Sequence, residues 1–369
     1  MAIFNTVYGG TGYKTFTIKW EEKSDMSSWW VYSDDATWLT AGDSKFDDFF
    51  WYRPVLLNTS WVVAAELNPN DFTKDTSWNS VNISSWDNVM IEFPIRWIKM
   101  SKSWSNVTLS ITDKLNASWF QYYAHSRWTL ASPVAKDNMY MWVYEWYVNS
   151  SVLKSWSGKT PTWNQTMSTY ITNARANDGN TWSWWYDISW FYQLQYIIAL
   201  YMMKYGNPNM QSVIGYWYNW QWQTTGATNS VGMNWATASW NTGRVKLFWL
   251  EDMWWNNNDW VWWLYVNSWN INTALSWFTD SWWTSYTNIS SAALSSWKVQ
   301  SIIWSNNAMF FPNGFGNDVT TYYCAGWSVN NWIYDMWWAA HWDMDSLFFS
   351  QRFTASTHYN DIWARLMYL

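Results

Sequence analysis

The chain has 369 residues, of which 43 are Trp and only 14 Gly, with a formal net charge of −6. At an ordinary ~7% glycine, about 26 would be expected. Charged residues are 13% of the chain, about half the usual ~25%. No Lys/Arg cluster is present, which argues against nucleic-acid binding, and the single Cys324 excludes an internal disulfide framework and Cys-pair chemistry.

Residues 1 to about 130 read as β. Val62 to Ala65, Val89 to Phe93 and Val107 to Ile111 are short apolar runs bounded by turn residues. Ile98 to Lys102 and Val107 to Thr112 read as a hairpin around Ser103-Trp104-Ser105-Asn106. Residues 131 to 205 are mixed. A helix is expected from about 165 to 177, capped by Asn164. A stronger one is expected from Phe191 to Tyr205, where Leu194, Ile197, Ile198 and Tyr201 recur at helical spacing and Gly206-Asn207-Pro208 supplies the stop. Core packing is the preferred reading of that stripe. Past 207 the chain is turn-rich, with short strands at Val245 to Phe248, Val261 to Val266, Val299 to Ile303 and Leu347 to Phe353.

The longest apolar stretch, Tyr196 to Met203, is too short to span a bilayer, so no membrane insertion is expected. Met1 to Asn5 has neither the basic nor the apolar region of a secretory signal. A composition polar in Ser, Thr and Asn suits a virion tail or extracellular surface protein.

Many Trp sit beside small polar residues. Ser77-Trp78-Asn79, Ser85-Trp86-Asp87, Ser103-Trp104-Ser105 and Asn219-Trp220-Gln221-Trp222 are turn contexts, where a residue tolerating φ > 0 is expected. Two readings stand side by side. The surface is truly Trp-rich, as for sugar stacking; or most of these positions evolved as glycine. UGA is read as Trp in some codes and as Gly in others, so one gene translated under the wrong table would gain Trp and lose Gly. The second reading expects Trp97, Trp104, Trp119, Trp249, Trp255, Trp263, Trp338 and Trp363 to be turns, bulges or close-packed backbone.

Two stretches carry a family likeness. Leu250-Glu251-Asp252-Met253-Trp254-Trp255-Asn256, continuing to Asp259-Trp260-Val261, resembles the core motif of the formylglycine-generating-enzyme type of C-type lectin fold. Trp255 stands where that motif has Gly; Trp254 and Trp260 read as genuine aromatics. Ala355-Ser356 through Ile362-Trp363-Ala364-Arg365-Leu366 resembles the ending of the same fold, with Trp363 again in place of Gly. The likeness covers roughly residues 150–369 and points to the variable ligand-binding proteins of phages and bacteria, some diversified by retroelements. The resemblance implies an α+β chain: a β-rich attachment or assembly domain over 1–130, then a C-type-lectin-like ligand-binding domain over 131–369.

The enzyme branch of that family works through a copper-bound Cys pair, which one Cys cannot form. None of His125, His341 and His358 lies in a nucleophile motif, and His125 reads as a satisfied structural residue. No catalytic residue, cofactor or metal is therefore expected. A calcium site at Asp252 and Asn256 to Asp259 is outweighed by turn capping.

The functional signal is the aromatic and polar mixture near the end: His341, Asp343, Asp345, Phe349, Gln351, Phe353, His358, Tyr359 and Asn360. Such residues make adaptable contacts in paratopes. The core alternative stays open for Phe349 and Phe353, and Arg365 reads as a buried hydrogen-bonder. The expected function is recognition of a host surface protein or glycan, compatible with a homo-trimer. The alternative is a structural virion protein without a dedicated ligand site.

Overall fold

The structure is a computed structural model. It describes residues 12–22, 30–58, 60, 62–83, 87–127, 134–162, 164–178, 186–188, 191–207, 213, 224–236 and 244–252, and past Asp252 the backbone of nine strands. The described chain is mostly β with few helices, the β-rich or α+β class that the sequence indicates.

A four-stranded antiparallel sheet has the order β2 (Val31–Asp34), β1 (Thr15–Glu21), β8 (Asn106–Thr112), β7 (Trp97–Ser103). Its strands alternate. Phe16, Ile18 and Trp20 of β1, Val107, Leu109 and Ile111 of β8, and Ile98 and Met100 of β7 are buried, as the period of two requires for a sheet with one face on the core. The β7–β8 hairpin is the one expected, closed by Trp104-Ser105 with Ser103 opposite Asn106.

A seven-stranded sheet has the order β14 (Tyr186–Ile188), β26 (Leu366–Tyr368), β11 (Asn138–Trp142), β6 (Asn88–Pro94), β3 (Arg53–Leu57), β4 (Val63–Asn68), β5 (Asp71–Asp75). Every residue of β6 is buried, because both of its faces are covered. The sheet takes strands from both sides of residue 130, and the hydrophobic core likewise runs from Phe16 to Leu250. Smaller pairings join β9 (Ser126–Arg127) to β10 (Val134–Ala135), β12 (Tyr147–Asn149) to β13 (Val152–Lys154), and β21 (Lys298–Ser305) to β22 (Ala308–Gly316).

Helix α3 (Phe191–Tyr205) has the predicted bounds and ends at Gly206, whose N–H donates to Met202 O at 2.9 Å with φ 55°. Leu194, Ile197, Ile198 and Tyr201 are all buried, but so are Gln193, Gln195 and Lys204 on the other sides. The helix is thus enclosed rather than amphipathic, a central element of the core. Lys204 Nζ reaches both carboxylate oxygens of Asp47 at 2.6 Å, tying α3 to the short helix α1 (Lys45–Phe50). Helix α2 (Met167–Arg175) starts later than expected. Its cap is Thr166, whose Oγ1 accepts from Thr169 N at 3.2 Å, not Asn164, which lies outside the helix with φ 63°. Among the described residues no helix is long and apolar enough to cross a membrane.

Trp97 departs from the glycine reading. It opens a regular strand, is buried, and packs its ring 4.2 Å from that of Tyr122. His125 is buried and neutral: burial pushes its pKa down to about 3. Its Nε2 lies 3.2 Å from Phe93 O, whereas Nδ1 has no hydrogen-bond partner, so the ring is structural but only half satisfied.

Candidate functional site

The first motif stretch begins in a small sheet of β15 (Trp235–Ala236), β16 (Val245–Leu247) and β17 (Leu250–Glu251). Leu247 pairs with Leu250, leaving Phe248-Trp249 as a two-residue turn in which both residues have positive φ, 49° and 63°. The turn is held from outside: Phe248 N donates to Asn234 Oδ1 at 2.9 Å and Trp249 N to Met233 O at 2.9 Å.

This hairpin carries a buried charge cluster. Arg244 Nε donates to Asp252 Oδ1 at 3.1 Å, and its Nη2 lies 2.6 Å from Asp252 Oδ2 and 2.7 Å from Glu251 Oε1. Arg244 Nη1 donates to Thr224 O at 2.8 Å. Glu251 also gathers Gly226 N at 2.7 Å, Thr228 N at 3.0 Å and Thr228 Oγ1 at 2.5 Å. Lys246 Nζ donates to Thr228 O at 2.6 Å and Val231 O at 3.2 Å.

Burial pushes the Asp252 carboxyl up to about 6 against the pull of Arg244, and brings Lys246 down to about 8. Burial alone would lower Arg244, but the Asp252 and Glu251 carboxylates outweigh it and hold the guanidinium charged. These groups spend their hydrogen bonds on one another and on the loop at 224–231. The arrangement is therefore a clamp that fixes the loop to the hairpin. Asp252, weighed in the sequence as a calcium ligand, is here committed to Arg244. Neither this pairing nor the Glu251 contacts are visible as a motif; the legible signal is three charged residues set among apolar ones at 244, 246 and 251.

Beyond the hairpin the motif continues as β18 (Asn258–Asn267), the axis of the third large sheet. Antiparallel to it lie β19 (Asn270–Ala274), which pairs on with β20 (Tyr286–Ser290), and β23 (Trp332–Trp337), which pairs on with β24 (Phe349–Phe353). Its first residues also pair in parallel with β25 (Ile362–Ala364), Asn258 opposite Ile362 and Trp260 opposite Ala364. The two motif stretches, about a hundred residues apart in sequence, thus lie on adjacent strands. Trp263 and Trp363, expected as glycine positions, fall in β18 and β25, and α3 runs beside β18.

Of the expected ligand-binding residues, Phe349, Gln351 and Phe353 occupy alternate positions of β24, opposite Trp337, Asp335 and Ile333. Alternation assigns the three to one face of the sheet. In the described order β24 ends the sheet. His341, Asp343, Asp345, His358, Tyr359 and Asn360 lie outside the described residues, as do Cys324, Trp254, Trp255, Trp338 and Arg365. Among the described residues no group of His, Cys, Asp and Glu is arranged to hold a metal ion.

No protein-family model matches the chain, and no curated protein matches it.

Proposed function

We propose that this is a non-enzymatic binding protein of a phage tail or other extracellular surface. It presents a variable C-terminal face on a C-type-lectin-like scaffold of the formylglycine-generating-enzyme type. One observation carries this reading. The strand that carries the end of the first motif and a strand inside the second pair directly, β18 with β25, and β23 and β24 follow on the other side of β18. Residues 340–361 are thereby anchored at both ends by strands of one sheet, with β24 among them. A segment tethered in this way is free to vary while its frame is kept, which is how loops on a rigid scaffold carry recognition. The partner would be a host surface protein or glycan, and the assembly a homo-trimer.

The test combines genes and binding. Sister genes should scatter in sequence within 340–361 and little elsewhere, beside a reverse transcriptase gene and a near-copy of this segment. Replacing His358, Tyr359 and Asn360 together by Ala should leave the thermal melt within the small range of exposed substitutions, about ±0.5 kcal/mol each, and weaken adsorption to host cells at least tenfold, since a few anchors dominate an interface. Uniform divergence along the gene, or a folded triple variant that adsorbs like the parent, overturns the reading.

A further inference from the structure

The described tryptophans divide by backbone conformation. Trp20, Trp142 and Trp156 have ordinary φ and work as tryptophans: Trp20 stacks on Trp30 at 4.6 Å, Trp142 is fully buried, and Trp156 Nε1 donates to Asp87 O at 2.7 Å. Trp51, Trp78, Trp104, Trp119 and Trp249 have φ between 52° and 69°. Positive φ is tolerated by Asn and Asp, which account for Asp34, Asn116, Asn164 and Asp252 here. For a bulky side chain it is an outlier, yet Trp supplies more of these positions than any other non-glycine residue.

Each of the five fills a place that turn chemistry reserves for glycine, and the places differ. Trp51 is the left-handed residue closing α1, its N–H donating to Asp47 O at 2.8 Å, the C-terminal position where helices most often put Gly. Trp78 is the last residue of the three-residue loop Thr76-Ser77-Trp78, after a turn closed by its own N–H on Asp75 O, which is the glycine of a bulged hairpin. In the two-residue turn of β7–β8 only the first residue, Trp104, has positive φ, the glycine position of a II′ turn. Trp119 is third in the turn Ala117 to Phe120, where a type II turn requires Gly. Trp249 is second in a turn with both central residues at positive φ, the Gly of an Asn-Gly I′ turn. Trp78, Trp104 and Trp119 are 62%, 93% and 85% exposed, so burial of the indole does not explain them. Trp51 lies under Arg53 at 5.5 Å, and Trp249 donates to Pro69 O at 3.1 Å; those contacts do not remove the demand on φ.

We infer that these five positions are glycine in the protein as its own cell makes it, and that the gene's UGA codons are read there as glycine. The cell producing the chain then holds a glycyl-tRNA whose UCA anticodon pairs with UGA. For function, the exposed indoles at 78, 104 and 119 are removed as a sugar-stacking surface, and recognition is left to other side chains.

Two measurements test this. The gene should carry UGA at 51, 78, 104, 119 and 249 and UGG at 20, 142 and 156, and peptides from the natively produced protein should have the mass of Gly at the first set. UGG at the five positions, or native peptides carrying Trp there, overturns the inference. Independently, the full chain made with Trp→Gly at the five positions should melt at a higher temperature than the all-Trp chain. Trp20→Gly with Trp142→Gly should melt lower or fail to fold. A lower melting temperature for the five-glycine chain also overturns it.

Discussion

Arg244 and Asp252 close the β16–β17 hairpin from within, Nε to Oδ1 at 3.1 Å and Nη2 to Oδ2 at 2.6 Å, both side chains being buried. A pair of this kind costs desolvation to form, so its net value is small. Removing one partner is different, because the other charge stays buried and unmatched.

Asp252→Asn should destabilise the chain by about 1.5–3 kcal/mol, because Arg244 loses its two-oxygen partner but keeps Glu251. The double change Arg244→Met with Asp252→Asn should cost more than the single one, because Arg244 keeps Glu251 as a partner in the single variant whereas the double takes the guanidinium away from the buried Glu251 carboxylate. Urea melts of the three proteins check both expectations. A single variant as stable as the parent would show that the cluster does not clamp the loop.

His125 gives a pH dependence with a definite sign. Its folded pKa, about 3, lies below the ordinary value of 6.5. Between those values the unfolded chain holds a proton that the native chain does not, so stability falls as the pH drops below about 6.5 and this contribution is fully lost near pH 3. One group of this kind changes stability by about 1.4 kcal/mol per pH unit inside the window. His125→Gln cannot titrate, so its stability should fall less steeply than the parent's from pH 6 to pH 4. Equal slopes in denaturant melts at those pH values would place the parent's imidazole in contact with water.

Gly226 is a glycine that the fold does need. Its φ is 90°, and a Cβ built on it would sit 1.9 Å from Ser157 Oγ and 2.9 Å from Ser157 Cβ. Gly226→Ala should cost about 3 kcal/mol from overpacking together with the left-handed backbone. Adding Ser157→Gly should return part of it by clearing the clash. Thermal melts of the single and double variants measure this, and an unchanged single variant would contradict the tight approach.

What was legible in the sequence was local. The β7–β8 hairpin and α3 follow from periodicity and from stop signals a few residues away, and both appear as expected. The start of α2 was misplaced by two residues because Asn164 and Thr166 are both good caps, and only the fold decides which backbone is extended: Thr166 has ψ 156°, whereas Asn164 is left-handed. Trp97 opens a strand and packs as an aromatic, which its flanking Arg96 and Ile98 do not distinguish from a close-packed glycine position. The clamp around Glu251 left one mark in the sequence, the charged residues among apolar ones at 244, 246 and 251, and that mark does not name the partners. Glu251 gathers the guanidinium of Arg244, the hydroxyl of Thr228 and the backbone N–H groups of Gly226 and Thr228, and backbone donors leave no mark on composition. Of the expected binding face, the sequence places Leu347 to Phe353 in a strand, and the described strand is Phe349–Phe353; its partners on β23 are a matter of register that no local pattern encodes.

The order of the seven-stranded sheet has a consequence for how this protein is made. Among the described strands, β11 and β14 are joined only through β26. Nothing synthesised before Leu366 can complete that sheet, so throughout translation both strands wait with unsatisfied edges, in the state most open to wrong pairing. A chain terminated early, at an internal UGA for example, would keep its first sheet and helices yet never close the second.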